Sequence, residues 1–540
     1  MYYKREVKQV KSNIIKYIFF AIVAVLIVYS VYIIYNKDKN KDTNNVQETK
    51  VADTNIIKEI RIPIVELDTL NPILSKNKNV QDISKLIYEP LVTLNENYKA
   101  EPCIAKEWSV VDETSYLIKI RDDVKWQDDI PLKTNDIAFT IDKLKTNNSI
   151  YSYNVQNIVG VEVIDDYTIK LNLDRQIPFF EYNLIFPILA EHYYVDENFA
   201  NTERNNNPVG TGMYQITGNE NGVITLSKNK KWWNIEKKNA RIEKITINTY
   251  SAMGEVYNAF KIGNLDLITT NNLNIEEYVG TIGFNTKDYK GREFDYIAMN
   301  TQSPLLSKTE IRKAINYSLD KTNIASSISN SKYYVSEFPT DFGSWLYNVE
   351  KVTSGYNPEQ TKKVLTDNGW EFKNKYWQKV ENYRTQRISL NLVVNESNAM
   401  RVQAAELIKN QVEQVGIKIN IIKASDAQYQ NYLKNKNYDM IITGTYTSLS
   451  PDVSNYFGDN NLSNFDNEEA KNIIAELGNI KDEKTLAEKY NRLVEIYQTE
   501  NPFICLYYNR NTIAYSTSLV GTINPNAYNI FYNIEDWYRQ

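Results

Sequence analysis

The sequence is poor in the residues on which metal and thiol chemistry depend. His192 is the only histidine in 540 residues, and Cys103 and Cys505 are the only cysteines. A histidine-based triad or a zinc or iron centre would have to be built on that one imidazole, so no metal site, no cofactor and no catalytic residue are expected. His192 reads as a structural residue, and no nucleophile with a matching base suggests an enzyme. Two cysteines cannot make a disulfide framework. They form either one bridge or, as the general burial of free cysteine suggests, two buried thiols. A basic field is also missing: the formal charge of −5 excludes the dense lysine and arginine surface that nucleic acid requires. Glycine (18) and proline (14) are too scarce for a collagen-like or low-complexity chain. With 42% hydrophobic and 24% charged residues, most of the chain is globular, and its length calls for several domains or one domain with large insertions.

Near the N-terminus an apolar run stands out. From Tyr17 to Tyr35, YIFFAIVAVLIVYSVYIIY carries no charge, and at ~1.5 Å per helical residue it matches a hydrocarbon core ~30 Å thick. Lys4, Arg5, Lys8, Lys11 and Lys16 against Glu6 place the preceding flank in the cytoplasm by the positive-inside rule. The following NKDKNKDTNNVQETK offers neither a small-x-small cleavage site nor a cysteine for acylation, so an uncleaved signal-anchor is expected. The expected layout is a cytoplasmic tail (1–16), a single transmembrane segment (17–35), a polar tether (36–54) and an extracellular domain in a single-pass cell-membrane protein.

From Ile56 onward, strand and helix patterns alternate without a short repeat, which predicts a mixed α/β architecture. Tyr116, Ile118 and Ile120 alternate with polar or outward positions, as do Tyr167, Ile169, Leu171 and Leu173, predicting two half-buried strands. Between Ile388 and Thr443 the order is strand ISLNLVV, a helix with Val402, Leu407, Val412 and Val415 on one stripe capped by Gly416, strand IKINII, a short helix at 427–434 and strand YDMIIT. That β-α-β-α-β order implies parallel strands with right-handed crossovers, with ligands beyond the strands' carboxyl ends. The loop GTYTSLSPD (444–452) leaves YDMIIT at that end and is a candidate ligand loop. Asp466 and Glu469 suggest a weak capping box, and Leu486, Tyr490, Leu493 and Tyr497 a packed helix face.

A series of strings then resembles one known family in its order. These are LDTLNP and LIYEPLVTLNENYKAEPCIAKEW, YLIKIRDDVKWQDDIPLKTNDIAFTIDKL, NPVGTGMYQI, NKKWWN, FKIGNLDL, MNTQSPLLSKTEIRKAINYSLDK and YNPEQTKKVLTDNGW. Together they resemble the family 5 extracellular solute-binding proteins, the oligopeptide, dipeptide and nickel receptors of ABC importers. The resemblance implies an α/β, two-lobed periplasmic-binding-protein-like fold with an extra inserted domain. One lobe would combine 55–95, 208–294 and 500–540 with the inserted domain 96–207, and the second would be 295–499. It further implies a permease partner and a short peptide or other small solute closed between the lobes, with ligand contacts at Ser75, Lys76, Asn77, Thr445, Tyr446, Thr447, Ser448, Asp452 and Tyr508. A ligand-sensing or adaptor module of the same fold, and a receptor for a nickel complex or haem, remain open. Gly210 and Gly212 are expected to supply positive φ where the chain changes domain; their GTG string lacks the Lys-Ser/Thr ending of a phosphate loop. Two departures stand out. Peptide receptors of the family carry an aromatic and an amino-pairing acid where this chain has Thr445 and Ser448, and Asp129 replaces a preferred glycine.

Overall fold

The computed structural model describes residues 58–540, except 272–274, 276–282, 329–332, 341–344, 347–354 and 481. The expected tail, membrane segment and tether at 1–54 lie outside the described residues. Among the described residues, no helix is long and apolar enough to cross a membrane.

Among the described residues, three sheets of four or more strands organise the fold. In the first, Glu59–Val65 runs parallel to Lys244–Tyr250, followed by antiparallel Val223–Lys228 and Tyr214–Glu220. Ile60, Ile62 and Ile64 are buried on one face while Glu59, Arg61 and Val65 are only partly covered, the period of two that a sheet with one buried face requires. The second sheet is antiparallel, in the order Ala105–Asp112, Ser115–Ile120, Thr168–Leu173, Ile158–Asp165. Tyr116, Ile118, Ile120, Ile169, Leu171 and Leu173 point inward as their alternation predicts, although Tyr167 falls just before its strand. Ile137, Ile141 and Leu144 of helix Thr134–Thr146 share one apolar core with both sheets.

The third sheet has seven strands and carries the predicted β-α-β-α-β unit. Ser389–Asn395 pairs in parallel with Lys418–Ala424 on one side and with Met440–Tyr446 on the other. Met440–Tyr446 then pairs antiparallel with the long strand Phe284–Met299, which pairs with Phe503–Ser516. The buried face of helix Ala399–Gln414 is Ala404, Ala405, Ile408 and Val412; of the predicted stripe Val412 and Val415 are buried, whereas Val402 and Leu407 are only partly covered. Small alanines let this helix lie close to the sheet, which a search for large apolar residues overlooks. Gly416 follows it at φ 89°, as a helix-ending glycine should. Phe294, Tyr296 and Ala298 face one apolar core, and Ile297 and Met299 face another, so this part of the sheet is covered on both sides.

Several local expectations are corrected. Gly210 and Gly212 do not have positive φ. They are required because the chain passes against the end of helix Lys78–Ile87: Gly212 N–H donates to the Ile87 carbonyl at 2.8 Å, and a Cβ on Gly212 would lie 2.7 Å from the Leu86 oxygen. Asn467, not Asp466, caps Glu468–Leu477, accepting from Ala470 N–H at 2.9 Å, while Asp466 pairs with Lys471. Asp129 does adopt φ 73°, the left-handed region that glycine would enter freely, and its carboxylate is held by Lys231 at 2.5 Å. Leu486, Tyr490, Leu493 and Tyr497 are buried along Glu483–Glu500. Cys505 is buried, Cys103 is half-buried, and the two are not bonded to one another. His192 reaches Asp128 at 2.8 Å from the four-residue helix Glu191–Tyr194.

Candidate ligand-binding site

A cavity of about 540 Å³, within the ordinary range for small-molecule sites, lies where several stretches of chain converge, with Ile150, Tyr151, Tyr153 and Ile185 lining it beside the three described next. Helix Lys78–Ile87 forms one wall. Asn77 caps it, its side chain accepting from Asn79 N–H at 2.9 Å, and Val80, Ile83, Leu86 and Ile87 anchor it in the core. Anchoring that face turns Lys78, Gln81, Asp82 and Lys85, at helical spacings of three and four, toward the cavity. Lys78 and Asp82 neutralise one another as an i,i+4 ion pair, and Tyr151 donates to Gln81 Oε1 at 2.7 Å.

The opposite wall is the end of Met440–Tyr446 and the loop beyond it. Tyr446 belongs to the strand, which runs three residues farther than the predicted YDMIIT. Past the pairing of Glu293 with Tyr446, Thr447 continues the contact: its N–H donates to the Arg292 carbonyl at 2.8 Å, and Arg292 Nε donates to the Thr447 carbonyl at 2.7 Å. This clamp lays the Arg292 guanidinium over the Tyr446 ring, 4.4 Å from its centre. Tyr446, Ser448, Leu449 and Asn455 line the cavity from this side. The third stretch is near the C-terminus, where Tyr528 lies under Lys85, whose ammonium is 4.5 Å from the ring centre. A second cavity of about 480 Å³ adjoins the first through Tyr153, Tyr446, Ser448 and Asn455, and includes Thr445, Thr447 and Asp452.

Electrostatically the main cavity is lopsided. Among the described lining residues, Lys78, Lys85 and Arg292 stand against the single carboxylate of Asp82. Burial pushes the Lys85 ammonium down to about 8; Asp82 supports its charge, and Lys78 and Arg292 oppose it. In the adjoining cavity Asp452 is occupied locally, accepting from Ser454 N–H at 2.8 Å and from its hydroxyl. Behind Lys85 and Tyr528 a further hollow of about 320 Å³ contains Glu89. Its carboxylate accepts from Trp232 Nε1 at 3.0 Å and from Trp233 Nε1 at 2.9 Å. Burial nevertheless dominates and raises it to about 7.

Of the residues expected to contact ligand, Thr445, Tyr446, Thr447, Ser448 and Asp452 are brought together on one wall of these cavities. Ser75, Lys76 and Asn77 are not. Ser75 is fully buried and donates to Asp68, Lys76 N–H donates to Asp68, and Asn77 serves its helix. Tyr508 is also buried, stacked on Phe294 with its hydroxyl donating to the Pro339 carbonyl.

Residues 99–468 match the family model of bacterial extracellular solute-binding proteins, family 5 Middle. The chain belongs to this family. As a family 5 solute-binding protein it is 22% identical over 501 residues to the oligopeptide-binding protein AppA of Bacillus subtilis, covering 88% of this chain and 90% of that one. It is also 22% identical over 492 residues to heme-binding protein A of Haemophilus influenzae, covering 84% and 87%. The fold matches the crystal structure of a nickel ABC transporter protein from Bacillus halodurans with a TM-score of 0.73 at 19% identity, over 88% of this chain and 99% of that one. The mixed α/β fold is therefore that of the periplasmic binding proteins.

Proposed function

We propose that this solute-binding protein captures a short peptide in the cavity between helix Lys78–Ile87 and the end of strand Met440–Tyr446, and hands it to an ABC permease. One observation carries this reading: the cavity is walled by parts of the chain more than 350 residues apart that meet across open space, so a solute gains both walls only when they approach. We take 55–95, 208–294 and 500–540, with the inserted 96–207, as one lobe and 295–499 as the other. The register shift between Lys290 and Phe294 in the long strand would serve as a hinge. The peptide form of the ligand is supported by an open strand edge. Residues 443–446 pair with 293–296 on one side, whereas Ser389–Asn395 pairs only with Met440 and Ile441 on the other, leaving backbone groups for an added extended segment.

The departure at Ser448 shapes what that segment would be. With Asp82 paired to Lys78 and Asp452 to Ser454, an α-ammonium in this cavity has no unengaged acid among the described lining residues. A peptide blocked or cyclic at its amino end suits the lining better than a free one. The names of relatives point to haem and nickel receptors on the same fold, and the pocket lining rather than the fold decides between such solutes. We further propose that residues 17–35 hold the protein at the outer face of the cell membrane, supported by their charge-free length and lysine-rich flank. Native mass spectrometry of full-length protein extracted from its own membranes tests the ligand assignment. A bound species that fragments into amino acids is expected; a metal chelate or a porphyrin in its place would overturn it.

A further inference from the structure

Lys85 and Arg292 line the same cavity, each lies over a tyrosine ring, and neither has an ion-pair partner among the described residues. The only carboxylate among the described lining residues, Asp82, is taken by Lys78. The fold sets where both cations stand. Lys85 is the last residue of a polar helix stripe whose opposite face is core, and Arg292 is clamped by exchanging hydrogen bonds with Thr447. Two cations facing shared open space, whose one neighbouring described carboxylate is already paired with Lys78, form a receptor for an anion, because charge-assisted hydrogen bonds to a carboxylate are the strong ones in a desolvated site. The rings beneath them add a face on which flat or apolar parts of a ligand could lie.

We propose that Lys85 and Arg292 form a carboxylate-binding subsite, so that the solute of this protein is anchored here by a carboxylate rather than by an amine. This rests on the cavity being the solute site, as argued above. In a peptide the carboxylate would be the α-carboxyl group or an acidic side chain; a carboxylate-bearing non-peptide solute offers the same chemistry.

Two measurements on the full-length protein test the subsite and separate its failure from that of the peptide reading. In the first, acetic anhydride labels lysines in citrate or in sodium chloride of equal ionic strength, and mass spectrometry follows Lys85 with Lys471 as reference. Labelling of Lys85 should slow several-fold in citrate alone, and Arg292→Gln should remove the protection. An unchanged Lys85 rate overturns the subsite whatever peptides do. In the second, calorimetry compares a pool of N-acetylated tri- to pentapeptides with free or amidated C-termini. Free acids should bind about tenfold more tightly, with the preference erased by Lys85→Met and kept by Lys85→Arg. Equal binding of acids and amides overturns the subsite and leaves the peptide reading standing. Citrate protection without any peptide binding upholds the subsite and overturns the peptide reading.

Discussion

Glu89 stores a pH dependence that a single substitution should expose. The residue is 8% exposed, and the indole N–H donors of Trp232 and Trp233 recover only part of what burial takes away, so the ordinary 4.5 of its carboxyl group rises to about 7. In the unfolded chain the same group titrates near its ordinary value. Below about pH 4.5 it is protonated in both states, and its favourable contribution is fully present. As pH rises toward 7 the unfolded chain loses the proton while the native protein keeps it, and the contribution is lost through that window. The difference between 4.5 and about 7 corresponds to about 3 kcal/mol. Glu89→Gln mimics the protonated form at every pH, since one amide oxygen can still accept from both indoles. Urea unfolding of both proteins between pH 4 and 8 should therefore show the variant gaining about 3 kcal/mol on the parent as pH rises, with most of the change between 4.5 and 7. Parallel stability curves would show that Glu89 is ionised in the native state and that the burial argument is wrong.

Three further outcomes follow from the packing. Arg401 on helix Ala399–Gln414 holds Asp295 of the long strand through Nε at 3.1 Å and Nη2 at 2.7 Å, so Asp295→Ala should cost about 3 kcal/mol in unfolding free energy by stranding a largely buried guanidinium; a loss below about 1 kcal/mol would contradict it. Gly212→Ala places a methyl group against the backbone of Leu86 and Ile87 and should destabilise by about 2 kcal/mol, measured as a lowered thermal midpoint, whereas Gly254→Ala, with nothing within 4 Å, should not. Because Lys85 loses its proton near pH 8, binding of free-acid peptides should weaken as pH rises from 7 to 9.5, and calorimetry should find the Lys85→Arg protein far less sensitive; equal pH profiles would contradict the assignment.

Much of the scaffold could be read before any coordinates, because it rests on periodicities that side-chain burial enforces. The parallel unit from Ser389 to Tyr446 and the inward faces of Ser115–Ile120 and Thr168–Leu173 are of this kind. The position of the cavity's loop wall was legible too, since strand order alone puts the loop expected at 444–452 at a carboxyl end, although residues 444–446 prolong the strand. The facing wall was harder. Lys78, Gln81, Asp82 and Lys85 form a polar stripe at helical spacing, visible in the sequence, but such a stripe usually faces solvent; only the tertiary fold shows it facing a cavity. Arg292 gave no signal, because its position depends on pairing with Thr447, 155 residues away. Tyr508 lies outside the cavity lining for the opposite reason. An aromatic ring suits a pocket and a core equally well, and here Phe294 and Pro339 claim it.

The central claim is that one solute bridges the two walls, and amide hydrogen exchange tests it most directly. Full-length protein should be compared with and without a saturating pool of N-acetylated peptides carrying free C-termini. The account predicts slower exchange at once in helix Lys78–Ile87 and in residues 443–456, with Ala105–Asp112 in the second sheet unaffected. Protection confined to one wall, or absent from both at saturation, would contradict it.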